Sequence, residues 1–142
     1  MKKILNFLFI ILIIVVFAYL LSPDREYTSK LWVLKGISLA QPYRAAVIEY
    51  VQKTGVLPGP DDIEREKIFV RVDLENTAVK IITIGEENPG AVTIYYSTAG
   101  LDSAPSEINN HKIILSPSLT GNKLTWSCKG TMPADFIPVL CK

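Results

Sequence analysis

The stretch GNKLTWSCKGTMPADFIPVLC, residues 121–141, contains both cysteines of this 142-residue chain. Its first part alternates apolar and polar residues, so Leu124, Trp126 and Cys128 are predicted to share one face of a β-strand and to point at a core. Its second part, ending at Cys141, contains one glycine and two prolines and does not fit regular structure. What the two thiols do depends on the compartment of this domain, which the other end of the chain indicates.

The chain begins with two lysines followed by an apolar run from Ile4 to Leu21, interrupted only by Asn6. About 18–20 apolar residues are enough to cross the hydrocarbon core of a bilayer. We therefore expect residues 1–23 to form a transmembrane anchor. The main alternative is a cleaved signal peptide, but its apolar region usually has about 7–15 residues and ends in a small-residue site, which this run lacks. A buried soluble helix is the remaining alternative.

The charges on either side of the apolar run predict its orientation. Two lysines precede the run, whereas the first charges after it, at positions 24–26, are of mixed sign. By the positive-inside rule, the N-terminus lies in the cytoplasm and residues 24–142 lie outside. That compartment is oxidising, which favours a disulfide over a zinc site. One histidine and two separated cysteines also do not supply the four closely spaced ligands that zinc requires.

Residues 24–54 are predicted to form a helix, because apolar side chains recur at three- and four-residue steps from Gly36 to Val51. Gly55, with a proline three residues later, predicts the end of this helix. Pro42 lies inside the pattern, where it removes one backbone hydrogen bond and predicts a bend. We therefore expect one long, bent helix that continues from the membrane.

The residues after this helix predict a small antiparallel sheet. A loop is expected at 55–66, where the charged stretch DDIERE (61–66) indicates a solvated loop or a short helical turn. The sheet is expected within 67–128, because the apolar period changes to two and turn residues separate the segments. The predicted strands are 68–75, 78–84, 91–98, 112–116 and 123–128. Because the helix stripe is the large apolar surface available to cover one sheet face, the fold class is predicted to be α+β.

Charge and motifs predict no catalytic, metal, cofactor or small-molecule site. The formal net charge is +1, so bulk electrostatics do not favour nucleic acid. Four lysines near the C-terminus are scattered along the chain: Lys112, Lys123, Lys129 and Lys142. The single histidine, His111, is expected at the surface, and no nucleophile–base or phosphate-binding motif accompanies it.

Two segments resemble the type IV pilins and their minor-pilin relatives. Residues 121–141 are similar to the pilin C-terminal signature, in which a tryptophan lies two residues before one cysteine and a proline-containing loop leads to the second. Residues 26–58, EYTSKLWVLKGISLAQPYRAAVIEYVQKTGVLP, resemble the outer half of the pilin helix and its exit. The resemblance implies a long helix, half in the membrane and half periplasmic, packed on the sheet. It also implies that a disulfide between Cys128 and Cys141 closes the C-terminal loop 128–141.

The apolar side chains of this loop are candidate contacts for a partner protein. They are Met132, Phe136, Ile137 and Val139. Inward packing on the sheet is the alternative, and it is the expectation for single apolar residues of this kind.

The chain departs from the pilin pattern near its N-terminus. Pilins have a leader that ends in glycine and a glutamate early in the mature helix, which is thought to pair with a neighbour's N-terminal amine. Here no glycine precedes Gly36 and no carboxylate precedes Asp24. If Tyr27-Thr28 corresponds to the family's Tyr-Thr, Leu5 occupies the position of the glutamate.

The resemblance, with this departure, implies a non-enzymatic accessory component of a type IV pilus system. It would remain in the inner membrane as a single-pass protein with a periplasmic domain, and would promote or modulate pilus assembly and dynamics through pilins or the assembly platform. The first alternative is a true minor or major pilin in the fibre, with adhesion, motility or DNA uptake as readout. A small periplasmic enzyme or binding module is the second alternative.

Overall fold

The computed structural model describes residues 2–20, 25–65 and 72–141. Within these ranges the helices are α1 (Lys2–Leu20), α2 (Arg25–Leu39), α3 (Gln41–Thr54) and α4 (Pro60–Arg65). The strands are β1 (Val79–Ile84), β2 (Val92–Tyr96), β3 (Lys112–Thr120) and β4 (Lys123–Gly130). Two short 3-10 helices, Ser106–Ile108 and Val139–Cys141, complete the elements.

The predicted long helix is interrupted at one residue, Ala40, between α2 and α3. Ala40 keeps right-handed helical geometry (φ −81°, ψ −7°). Its N–H donates to the Gly36 carbonyl at 3.1 Å, and the Arg44 N–H donates to the Ala40 carbonyl at 3.1 Å. Pro42 lies at the start of α3 and has no N–H to donate. We predicted that Pro42 bends one continuous helix; instead the segment is divided at Ala40, two residues before the proline, into the separate helices α2 and α3.

The end of α3 lies where the sequence predicts it. Gly55 adopts a left-handed conformation (φ 76°) and its N–H donates to the Val51 carbonyl at 2.8 Å. The predicted loop 55–66 contains α4, so the helical alternative for the charged stretch is the correct one. At the start of α4, Asp62 Oδ2 accepts a hydrogen bond from the Gly59 N–H at 2.9 Å.

The four described strands form one antiparallel sheet in the order β1-β2-β3-β4. The predicted strand 78–84 corresponds to β1 and the predicted strand 91–98 to β2. The final hairpin is longer than predicted, and its outer part pairs β3 with β4 beyond Leu115, where the pairing of β3 with β2 ends. Half of the strand predicted over 68–75 falls outside the described residues, and its described half, 72–75, is not a strand.

The core lies between α2, α3 and one face of the sheet. Its fully buried members include Val33 of α2, Val47 of α3, Ile94 of β2 and Ile113 of β3. Along β2, Val92, Ile94 and Tyr96 point to the same side and all are buried, as the period of two predicts. The predicted α+β fold, with helices packed on a small antiparallel sheet, is confirmed for the part of the chain that these elements cover.

Candidate interaction surfaces

The C-terminal loop is attached to the sheet at both of its ends. A disulfide joins Cys128 of β4 to Cys141 of the last 3-10 helix. Cys141 is buried, and its N–H donates to the Pro138 carbonyl at 2.8 Å. At the start of the loop, the Thr131 N–H donates to the Lys112 carbonyl at 3.0 Å. The loop is therefore a fixed part of the domain surface.

Three of the four apolar candidates in this loop face the core. Met132 is only 4% exposed, while Phe136 and Ile137 are half-buried against the same core cluster. Gly130 makes room for Ile137, because a Cβ at Gly130 would lie 3.2 Å from the Ile137 side chain. Val139 is different, with 82% of its surface exposed. Met132 is thus a core residue and not an available contact, whereas Val139 points outward.

Gly36 of α2 lies directly against Tyr96 of β2. The Tyr96 hydroxyl donates to the Val33 carbonyl at 2.8 Å, and any Cβ at Gly36 would overlap the phenol ring. Burial raises the pKa of the Tyr96 phenol above its ordinary value. The missing side chain at position 36 therefore sets how deeply α2 lies on the sheet.

A second contact between helix and sheet is formed by Arg44 of α3 and Trp126 of β4. The guanidinium carbon lies 4.7 Å from the indole centroid, a distance at which cation–π attraction is effective. Arg44 Nη1 donates to Gln41 Oε1 at 3.3 Å. The Arg44 Nε is buried and has no hydrogen-bond partner within the described residues. Trp126 therefore packs against the core and also forms a cation–π contact with the Arg44 guanidinium.

A groove of about 390 Å³ opens between the end of α3 and the tip of the β3–β4 hairpin. Its walls are four half-buried apolar side chains and its rim is polar or glycine: Ile48, Val51, Leu119 and Leu124, then Gln52, Asn122, Gly55 and Gly121. At Gly55 and Gly121 an added Cβ would meet nothing within 4 Å. The groove is therefore open to solvent at the end of the sheet where the hairpin extends beyond β2.

The scattered lysines do not form a compact basic surface within the described residues. Lys112 forms an ion pair with Glu87 across the outer face of the sheet, and the hydrogen bond to this carboxylate raises the pKa of the lysine. Lys123 and Lys129 are exposed on β4, and six residues of strand separate them by about 20 Å at ~3.4 Å per residue. Lys142 lies outside the described residues.

His111 lies beside the C-terminal loop, where its Nδ1 is 3.3 Å from the Thr131 hydroxyl. Its side chain is half-buried. Among residues 2–20, 25–65 and 72–141, no group of three or more histidine, cysteine, aspartate or glutamate side chains is placed to hold a metal ion.

The N-terminal helix α1 presents apolar side chains on all sides. Every side chain from Leu8 to Leu20 is exposed. No helix in the described part of the chain has both the length and the apolar character needed to cross a membrane. The anchor predicted between Ile4 and Leu21 extends past this part, because the side chain of Ile4 and the whole of Leu21 are outside it.

The Arg44–Trp126 contact and the groove are not predicted by the sequence. Arg44 is not one of the apolar residues that define the helical pattern, and the strand period predicts that Trp126 points toward the core, but neither pattern relates the two elements. The groove is formed by α3, its Gly55 cap and the hairpin. The helical and strand patterns of the sequence describe these segments separately and do not predict that they lie side by side.

These features define a domain in which helices cover one face of an antiparallel meander and a disulfide fixes the C-terminal loop to the last strand. A family model described as pilin (bacterial filament) matches residues 32–142. The chain therefore belongs to the pilin family, and the resemblance to type IV pilins is confirmed. No curated protein matches it. Pilins are structural proteins, so the chain is a pilin-like component of a type IV pilus system, associated with the pilus or the cell surface.

Proposed function

We propose that this protein is a membrane-anchored accessory component of its pilus system, with an N-terminal single span and a periplasmic domain. In this role it promotes or tunes pilus assembly through contacts with pilins or with the assembly platform. The observation that carries the proposal is α1, whose side chains from Leu8 to Leu20 are exposed and almost all apolar. A surface of this kind requires lipid or another apolar helix around it.

The absence of acidic residues from this segment favours lipid as the surrounding medium. In the printed sequence the first carboxylate is that of Asp24. A carboxylate inside a bilayer is costly unless it is paired, and the resemblance to pilins places Leu5 where their pairing glutamate lies. Because α1 has no carboxylate, its burial in lipid does not carry this cost, and it lacks the group that pairs with a neighbouring subunit in pilins. Both points favour a helix that stays in the membrane over one that enters a fibre.

A subunit of the fibre is the second candidate, and membership of the pilin family favours it. An apolar helix exposed on all sides also suits the interior of a filament, where neighbouring helices would cover it. The two candidates differ in where the protein accumulates, because an accessory protein stays in the inner membrane and a subunit leaves with the fibre.

Fractionation of cells that express the tagged full chain separates these two roles. We expect the protein in the inner-membrane fraction, and depleted from sheared pili relative to the major pilin of the same cells. Deletion of the gene should change piliation or twitching motility. Abundant recovery in sheared pili would replace the accessory role by that of a fibre subunit, and unchanged piliation and motility would contradict both.

A matched pair of surface variants tests whether the C-terminal loop takes part in this function. Val139→Asp changes the outward residue of the loop, whereas Ile81→Asp changes an exposed apolar residue of β1 (48% exposed). We expect the gene with Val139→Asp to complement the deletion poorly and the gene with Ile81→Asp to complement it fully. Equal complementation by both would exclude Val139 as a functional contact.

A further inference from the structure

Two large apolar side chains lie exposed together on the first half of α2. Tyr27 is 64% exposed and Leu31 is 47% exposed. Lys35, also exposed, follows at the same four-residue step, so the three side chains share one side of the helix. The half-buried Trp32 lies next to them, with its indole centroid 5.7 Å from the Lys35 Nζ. These four residues are called the Tyr27–Lys35 face below.

We propose that the Tyr27–Lys35 face lies in the headgroup layer of the membrane that holds α1, with α2 inclined toward the membrane plane. The inference rests on the proposed membrane anchor and deepens it, because it states how the domain lies on the membrane. The other exposed large apolar side chains described outside α1 are on three separate segments: Val56, Ile81 and Val139.

The opposite side of α2 is the side that packs on the sheet. Ser29, Val33 and Ile37 recur there at four-residue steps and are all buried. No element in the described part of the chain covers the Tyr27–Lys35 face. A domain that rests on this face therefore turns its sheet away from the membrane and loses none of its internal contacts.

The side chains of this face suit the boundary between lipid and water. Tyrosine and tryptophan are enriched at that boundary, because each has an apolar ring and one polar group. Lysine places its apolar stem along such a surface and keeps its ammonium group in water. The Lys35 Nζ already lies at the edge of the face, 3.5 Å from the Asn76 carbonyl oxygen.

The chain itself keeps this face close to the proposed anchor. Helix α1 ends at Leu20 and α2 begins at Arg25, and five residues span at most about 18 Å in any conformation. A tethered surface meets its partner at a high effective concentration, whereas a second protein must first be encountered. This connection favours the membrane over another helix as the occupant of the face.

The charges around the face are of both signs, so the proposed contact is apolar and not electrostatic. Lys35 is on the face itself, and Lys30 is half-buried next to it. On the other side, Asp102 and Glu107 line a recess together with Thr28. We therefore expect the contact to form on a zwitterionic membrane.

An inclined α2 and an upright one place Trp32 at different heights. Trp32 comes eleven residues after Leu21, the last residue of the apolar run. Eleven residues of helix rise about 16 Å, whereas one headgroup layer is about 5–7 Å thick. An upright α2 would therefore hold Trp32 clear of the lipid, and an inclined α2 would bring it into the headgroup layer.

Fluorescence quenching in lipid vesicles measures this height. The full chain contains two tryptophans, Trp32 and Trp126, and Trp126 lies on the sheet against α3. The protein is reconstituted in phosphatidylcholine vesicles that carry bromine either on acyl carbons next to the headgroup or near the chain end. We expect the shallow bromine to remove about half of the wild-type emission, because one of the two indoles lies at the interface.

Single tryptophan variants assign the quenched signal. The emission of Trp32→Phe should be insensitive to bromine at either depth, and that of Trp126→Phe should be quenched mainly by shallow bromine. Trp32 that is not quenched would overturn the proposal and favour a helix of another pilin as the occupant, because these vesicles contain none. Stronger quenching by deep bromine would also overturn it.

A pair of charge variants tests the face directly. Leu31→Asp places a carboxylate in the contact and should reduce the shallow quenching by at least about twofold. Ile81→Asp, on β1, should leave it unchanged, and equal effects of the two variants would contradict the proposal. Carbonate extraction of the same vesicles separates the two claims. Protein that stays in the pellet without quenching refutes only the inclined arrangement, whereas protein that carbonate releases refutes the anchor and this inference together.

Discussion

At the scale of single residues, the fold depends on one position where a side chain is absent. Gly36 lies within α2, three residues before its end, and glycine inside a helix is usually unfavourable by roughly 0.5–1 kcal/mol relative to alanine. Its use is explained by Tyr96, whose ring occupies the space of a Cβ and whose hydroxyl bonds the Val33 carbonyl. The sequence showed Gly36 as a member of the apolar stripe, but the ring that it accommodates comes from β2 and is visible only in the structure.

Gly36→Ala should therefore destabilise the full chain by about 1–3 kcal/mol, the usual cost of overpacking, although the same change in an exposed helix would stabilise it. Tyr96→Phe should cost about 1 kcal/mol through loss of the hydrogen bond. Because the hydroxyl is among the atoms that the new Cβ meets, the double variant should be more stable than the sum of the two single effects predicts. Thermal unfolding in detergent, with Tyr95→Phe as the control, measures this coupling; strict additivity would contradict the contact.

Tyr96 also predicts a loss of stability in alkali. Its pKa is raised by burial, so the folded state retains the phenolic proton that the unfolded chain loses at about pH 10. The stabilising effect is complete below that pH and declines as the pH rises further. We expect the midpoint of unfolding to fall more steeply above about pH 10 in the wild type than in Tyr96→Phe. Equal slopes for the two proteins would show that other groups cause the decline.

At the scale of elements, the sequence predicted the features that are determined by residues close together in the chain. Helix α3 ends at Gly55, and β1, β2 and the last hairpin are present, because period and turn chemistry are local signals. The predicted strand 112–116 is shorter than β3, which continues through Pro117 to Thr120. Pro117 is tolerated inside β3 because the pairing of β3 with β2 ends at Leu115, so the missing N–H of Pro117 removes no hydrogen bond to β2.

The disulfide loop is the element whose contribution can be isolated by a chemical change. Closing a loop of about 15 residues stabilises a domain by roughly 3 kcal/mol. The variant with both Cys128→Ser and Cys141→Ser should lose about that much stability. It should also expose Met132, a loop residue that is buried against the core. Hydrogen exchange should rise in residues 131–141 before it rises in β2. Unchanged protection of the loop would show that its packing alone is sufficient.

At the scale of the whole molecule, two segments in a fixed order were enough to predict the family. The contact surfaces could not be predicted in the same way. The resemblance rested on two separated segments, and the family match covers residues 32–142. Inward packing of loop residues such as Met132 was already expected from the sequence. The Arg44–Trp126 contact and the groove, in contrast, arise where distant segments meet. No local pattern in the sequence specifies such a meeting, so these features required the three-dimensional arrangement.

The proposed membrane anchor can be tested on the full-length protein. Carbonate extraction should leave the protein in the membrane pellet, as expected for the apolar run Ile4–Leu21. Ile13→Asp places a charge near the centre of this run, where it costs about 2.5–3.5 kcal/mol, and should shift the protein toward the soluble fraction. Leu31→Asp, on the exposed part of α2, is the matched control. Release of the wild-type protein by carbonate would contradict the anchor.

The neighbour-to-neighbour order of the sheet has a consequence for how the domain acquires its structure. Each strand pairs with the next one along the chain, and the β3–β4 ladder starts from residues only three apart, Thr120 and Lys123. Loops this short close quickly, on the order of microseconds for a hairpin. The bond from Tyr96 to Val33 joins residues 63 positions apart, and long loops close at a greater entropic cost. The sheet is therefore expected to form early by successive hairpins, and the docking of α2 on it to be the slow step.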